Sequence, residues 1–161
     1  ELKTLGACEE AVAWAGRHPD LQTAWDACER GDWMLWLVTR VSGGPETASH
    51  KKAVLAACAC ARLELPYVAA GETRPLRAIE LAEAWARGDP SVTLQMVKDA
   101  AAASATSVAA AYAAYAAPYA AAYAAYAPYA AYAAYASTLK QCADIMRKHY
   151  PTITLAGRNE N

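Results

Sequence analysis

The sequence predicts an all-α protein, a compact bundle of about six to eight helices. Apolar residues recur at three- and four-residue spacing through most of the chain, whereas no alternating strand pattern and no Asn-Gly hairpin signal occurs. The 161 residues, 56 % of them hydrophobic, are enough to bury one sizeable core. We therefore expect a single helical domain over residues 1–150, followed by a polar C-terminal tail over residues 151–161.

Three helices are predicted in the first forty residues. Apolar spacing over Ala7–Ala15 indicates the first, which "GRHPD" ends, and the spacing over Leu21–Cys28 indicates a second that ends at Gly31. Asp32 is a typical N-cap and predicts the start of a third helix. The residues expected to share one face of this third helix are Trp33, Trp36, Leu37 and Arg40.

Two further helices follow the loop "SGGPETASH". The fourth runs through "KKAVLAACACARLEL" and is ended by Pro66. Thr73 is the candidate N-cap of the fifth, in which Pro75 is tolerated in the first turn and Gly88 is a natural C-terminal stop. The residues on the polar face of the fifth helix are Arg77, Glu80, Glu83 and Arg87.

The last predicted helix begins after "DPS", runs to about Tyr150 and contains an almost pure alanine and tyrosine repeat at 111–136. Pro118 and Pro128 each remove a backbone hydrogen bond, so we expect this long helix to be broken or kinked near both. At 100° per residue, five tyrosines form one stripe: Tyr112, Tyr115, Tyr119, Tyr123 and Tyr126. Because buried hydroxyls need hydrogen-bond partners, the stripe indicates a packed helix, an aromatic groove or an oligomer interface.

Composition argues against two classes of partner. The formal net charge of -1 offers no basic excess to hold a phosphate backbone, so we expect no nucleic acid. The charge-free stretch 100–139 is mostly alanine, with serine, threonine and two prolines, so we expect no membrane span. Five cysteines without a recognisable secretory leader indicate a reduced, cytoplasmic setting.

The sequence contains no recognisable catalytic or metal-binding motif. Cys58 and Cys60 lie about 200° apart on a helix, so their sulfurs point to opposite faces. Gly-rich phosphate loops, nucleophile elbows and His-Glu-x-x-His are absent, so we expect no enzyme, no metal and no cofactor.

Candidate binding residues are instead the tryptophans, arginines and tyrosines that dominate binding hot spots. For the charged residues, the alternative is a solvated face with weak i, i+3 and i, i+4 ion pairs. The candidates are Trp33, Trp36, Arg40, Arg62, Arg74, Arg77, Glu80 and Trp85, together with the five tyrosines of the stripe.

Three blocks carry a family resemblance: "TAWDACERGDWMLWLVTR" (23–40), "LAACACARLELP" (55–66) and "RPLRAIELAEAWARGD" (74–89). The matching positions are Trp25, Cys28, Asp32, Trp33, Trp36, Leu37, Cys60, Ala61, Arg62, Pro75, Ala78, Ile79, Trp85 and Gly88. Over roughly residues 8 to 145 the chain resembles a family of immunity proteins encoded in bacterial polymorphic-toxin loci. The resemblance implies a non-catalytic inhibitor that binds and sequesters a protein toxin or other effector.

Two other functions are open at the level of sequence. The aromatic side chains could stack a small flat ligand, such as a nucleotide-derived immune signal in phage or bacterial defence, with Arg62, Arg74 or Arg77 on its phosphate. Alternatively, the tyrosine stripe could be the interface of a structural homo-oligomer. The immunity-type and small-ligand hypotheses both predict non-covalent binding without turnover.

Overall fold

The computed structural model describes residues 1–68, 70–104 and 130–155, and all regular structure in these ranges is helical. Helices α1 to α7 span Glu9–Ala15, Leu21–Ala27, Gly31–Val41, Ala48–Arg62, Arg74–Ala86, Leu94–Ser104 and Ala130–His149. A short 3-10 helix at Leu65–Tyr67 follows α4. The prediction of an all-α bundle of six to eight helices is confirmed for the described part of the chain.

Helix α3 begins earlier than predicted, because its N-cap lies two residues before the predicted cap. Arg30 occupies the cap position, and Asp32 lies inside the first turn, so the assignment of Asp32 as N-cap is wrong. The carboxylate of Asp32 accepts hydrogen bonds from Nε and Nη2 of Arg30 at 2.8 and 2.6 Å. A negative charge in the first turn is also favourable to the helix dipole, which explains why Asp32 is stable there without capping.

Helix α5 has the predicted ends with a different capping bond. Thr73 is at the N-cap position but makes no side-chain capping bond. Glu72 satisfies the helix start instead, since its Oε1 accepts from the backbone N–H of Arg74 at 2.9 Å. At the other end Gly88 adopts φ +85°, the left-handed conformation that glycine permits just beyond a helix, and confirms the predicted stop.

Helix α4 packs against α3, α5 and α7, while α3 also packs on α7 and α5 on α6. Helix α1 packs on α2. The buried residues that form the main core are Trp25, Cys28, Met34, Leu35, Leu37, Val38, Ala53, Ala56, Ala143, Met146 and Ile153. The core therefore joins α2, α3, α4 and α7 and fixes the positions of the side chains at the start of α3.

Residues 151–155 return onto α2. Ile153 is buried, and its backbone N–H donates to Oε1 of Gln22 at 2.9 Å. Trp25 donates its indole N–H to the carbonyl oxygen of Tyr150 at 2.9 Å. The beginning of the predicted polar tail thus contributes an apolar residue to the core.

Helices α6 and α7 occupy the two ends of the predicted alanine- and tyrosine-rich helix. Pro118 and Pro128 lie outside the described residues, as do the tyrosines at 112, 115, 119, 123 and 126. The expected break or kink of the helix near the two prolines and the stripe of five tyrosines therefore stay predictions. In the part of the chain that the structure describes, no helix has the length and hydropathy needed to cross a membrane.

Candidate functional site

A cavity of about 320 Å³ lies between residues 2–8, α1, α2 and the first half of α3. Tryptophans supply much of its wall: Trp14 from α1, Trp25 from α2, and Trp33 and Trp36 from α3. Sites for small molecules are commonly concave, of roughly 300–1,000 Å³, with aromatic walls and few polar groups. This tryptophan cavity is therefore the candidate functional site.

The positions of the four tryptophans on their helices, and the contacts that fix their rings, explain why the indoles converge. Trp33 and Trp36 are three residues apart on α3 and so share one face. Trp25 is 3 % exposed, and its hydrogen bond to the carbonyl oxygen of Tyr150 fixes its ring. Trp14 is in the last turn of α1, where its ring packs on that of His18 with the centroids 4.9 Å apart.

One polar group in the wall lacks a partner. Nε1 of Trp14 is buried and has no hydrogen-bond acceptor among the described residues. A buried donor left without an acceptor costs about 1–3 kcal/mol. Because this nitrogen is out of contact with solvent, it does not face the open volume of the cavity, and Trp14 lines that volume with other atoms of its side chain or backbone.

Charged groups line the cavity beside the start of α3. Arg30 binds both carboxylate oxygens of Asp32, and its guanidinium lies 4.2 Å from the ring centroid of Trp33. The hydrogen bonds to Asp32 raise the pKa of Arg30 above its usual value. Glu10 approaches Nη1 of Arg30 at a looser 3.8 Å, and its side chain is largely exposed.

Three predicted binding residues lie at or beside the cavity. Trp33 and Trp36 line it. Arg40 does not line it but stacks over the Trp36 ring, with Cζ 5.6 Å from the centroid. The prediction of a Trp and Arg group on α3 thus corresponds to one contiguous surface.

Two predicted arginines are engaged in ion pairs away from the cavity. Arg62 binds both carboxylate oxygens of Glu83, at 2.8 and 3.0 Å. These hydrogen bonds lower the pKa of Glu83. Arg74 pairs with Glu72 at the start of α5. Neither arginine lines the cavity. Both are ion-paired, but neither pair has the i, i+3 or i, i+4 spacing of the predicted alternative.

The remaining candidates on α5 are also outside the cavity. Arg77 and Glu80 are exposed. Trp85 is 8 % exposed, with its ring edge-on to His50 and beneath the ammonium of Lys51. The structure therefore does not bring the α5 candidates together with Trp33 and Trp36.

Sequence reasoning did not select four residues that line the cavity: Trp14, Trp25, Arg30 and Glu10. A signal existed, because four of the five tryptophans fall between residues 14 and 36. Such clustering along the chain over three short helices indicates that their indoles can share one wall.

The cysteines of α4 face different helices, as their spacing predicts. Sγ of Cys58 lies 3.8 Å from the carbonyl oxygen of Ile79 on α5, whereas Sγ of Cys60 lies 4.0 Å from that of Cys142 on α7. Burial raises the pKa of Cys58 to about 12, and a hydrogen bond with the Cys142 side chain raises that of Cys60. Both thiols are therefore protonated at neutral pH.

Within the described ranges, no three His, Cys, Asp or Glu side chains are grouped to hold a metal ion.

Comparison of the chain with protein-family models, with curated proteins and with solved structures found no match. The resemblance to immunity proteins stays a prediction, and the geometry of the tryptophan cavity carries the functional proposal.

Proposed function

We propose that this is a non-catalytic binding protein that holds a small, flat aromatic ligand in the tryptophan cavity. The observation that carries the proposal is the convergence of four tryptophans on one cavity of about 320 Å³. A flat ring can stack on or pack edge-on against the indole faces.

The charges at the cavity favour a ligand without a phosphate. Arg30 is the one arginine among the lining residues, and its guanidinium already donates two hydrogen bonds to Asp32. Arg62 and Arg74 are paired elsewhere. A phosphate entering the cavity would meet a guanidinium whose charge Asp32 already compensates and would lie near the carboxylate of Glu10, so the proposal does not extend to a nucleotide.

Filling the cavity provides the test. Ala11 lines the cavity, whereas Ala13 is on the same helix, is exposed and does not line it. Ala11→Phe is expected to weaken binding of 4-methylacetophenone, a flat ring with one carbonyl acceptor, by about tenfold or more. The phenyl group would occupy the volume that the ligand needs. Isothermal titration calorimetry on the full chain measures the affinities.

Ala13→Phe is the matched control, with the same added ring on the solvent face of α1, and should bind as tightly as the wild type. Circular dichroism shows whether both variants keep their helices. A folded Ala11→Phe variant that binds with wild-type affinity would contradict the proposal.

A second candidate function is the immunity-type inhibitor that sequesters a toxin or effector. It is favoured by the stacking of Arg40 on Trp36, which puts a Trp and Arg pair beside the cavity. In that case an aromatic side chain of the protein partner would enter the cavity and compete with a small aromatic ligand. A defence role, a cytoplasmic location and a homo-oligomeric state are predictions that accompany either function.

A further inference from the structure

The groups around the tryptophan cavity also indicate the charge of its ligand. Resting on the function proposed above, we infer that the cavity selects a flat aromatic ligand with a delocalised positive charge over neutral and anionic rings of the same shape. Two independent features carry the inference: the balance of charged side chains in the wall and the faces of its indoles.

The charged side chains of the wall sum to a negative charge. The lining residues include two carboxylates, Glu10 and Asp32, and one guanidinium, Arg30. Arg30 and Asp32 compensate each other through their two hydrogen bonds. The carboxylate of Glu10 is left with a single contact of 3.8 Å. A cation at the cavity is therefore attracted, and an anion is repelled.

A cation behind the wall, Arg147, does not reverse this balance. Arg147 of α7 reaches the backbone carbonyls at the end of α2, behind Trp25. Its Nη2 also donates to Asp144 at 2.7 Å, so this cation has its own counter-charge. The uncompensated carboxylate is thus on the cavity side.

The faces of the indole rings also favour a cationic ligand. An aromatic face carries partial negative charge and attracts a cation, most strongly in tryptophan. The wall already contains one such contact, since the guanidinium of Arg30 lies over Trp33. Trp14 and Trp36 provide further ring surface for a ligand. A delocalised charge is the suitable kind, because it is more weakly hydrated than a compact ammonium and costs less to bring into the cavity.

Three probes of matched shape test the inference on the full chain. They are 4-acetyl-1-methylpyridinium, 4-methylacetophenone and 4-acetylbenzoate, which share an acetyl acceptor and differ in charge. We expect the cation to bind about tenfold tighter than the neutral ring, and the anion to bind most weakly. Equal or tighter binding of the neutral ring or the anion would overturn the inference while leaving the proposed function in place. If none of the three binds, the proposed function itself fails.

Glu10 is the residue that should control this selectivity. Glu10→Gln is expected to weaken binding of the pyridinium by about two- to fivefold more than binding of the neutral ring, because the substitution removes a charge and keeps the shape of the side chain. Glu9→Gln removes the same charge from an exposed neighbour that does not line the cavity, and should change neither affinity. The inference is wrong if Glu10→Gln leaves the pyridinium affinity unchanged or weakens both probes equally.

Discussion

Gly31→Ala is expected to lower the free energy of unfolding by about 3 kcal/mol, the upper part of the range for overpacking a core. A Cβ on Gly31 would lie 2.4 Å from the Cβ of Cys142. It would also lie 2.7 Å from both the backbone N of Ala143 and the carbonyl oxygen of Leu139. Two of these three atoms belong to the backbone of α7 and cannot rotate away, so α3 and α7 would have to separate.

Urea denaturation followed by circular dichroism measures this effect. Gly44→Ala is the matched control, because a Cβ there meets nothing within 4 Å and the chain has no positive φ at that residue. We expect the control to change stability by no more than about 0.5 kcal/mol. An unchanged urea midpoint for Gly31→Ala would show that α3 and α7 do not approach each other as closely as described.

Arg147→Met is expected to cost about 2 kcal/mol of stability. Nη1 of Arg147 donates to the carbonyl oxygen of Cys28 at 2.7 Å and lies 3.5 and 3.4 Å from those of Trp25 and Asp26. The last carbonyls of a helix have no partners within it, so a cation there satisfies them and complements the helix dipole. Methionine keeps the apolar stem but removes the donor to the carbonyl oxygen of Cys28, which costs roughly 1–3 kcal/mol when an acceptor is left unpaired.

Thermal denaturation of two further variants separates this role from a general effect of charge. Arg147→Lys should recover part of the stability lost in Arg147→Met. The recovery is partial because a lysine ammonium is a point charge and lacks the planar guanidinium that reaches several carbonyl oxygens. Lys148→Met removes a positive charge from the next, exposed position and should be close to neutral. If Arg147→Met and Lys148→Met have the same melting temperature, the bridge from α7 to α2 does not stabilise the fold.

Local signals in the sequence were sufficient for the helical class and for several helix ends. Pro75 and Gly88 bracket α5 as predicted, because both act through their own backbone conformation. The N-cap of α3 was predicted two residues too late, at Asp32 instead of Arg30. The decisive contact there is the ion pair of Arg30 with Asp32, which engages the Asp32 carboxylate that would otherwise cap the helix. The residue preferences of N-cap positions do not indicate such a pair.

The site was predicted only in part, because it is assembled from different helices. Trp33 and Trp36 were found from their spacing on one helix. Trp14 belongs to a separate seven-residue helix, and periodicity does not reveal which faces of two helices will meet. The ion pair of Arg62 was not predicted for the same reason: its partner Glu83 is twenty-one residues away in sequence, on another helix.

The central claim is that the tryptophan cavity binds a flat aromatic ligand, and the indole N–H signals of the five tryptophans test it most directly. Titration of ¹⁵N-labelled protein with 4-acetyl-1-methylpyridinium should shift the signals of Trp14, Trp33 and Trp36, each assigned by a single Trp→Tyr substitution. The signal of Trp85, which does not line the cavity, should stay in place. If no indole signal moves, or if Trp85 moves as far as Trp14, the cavity is not the binding site.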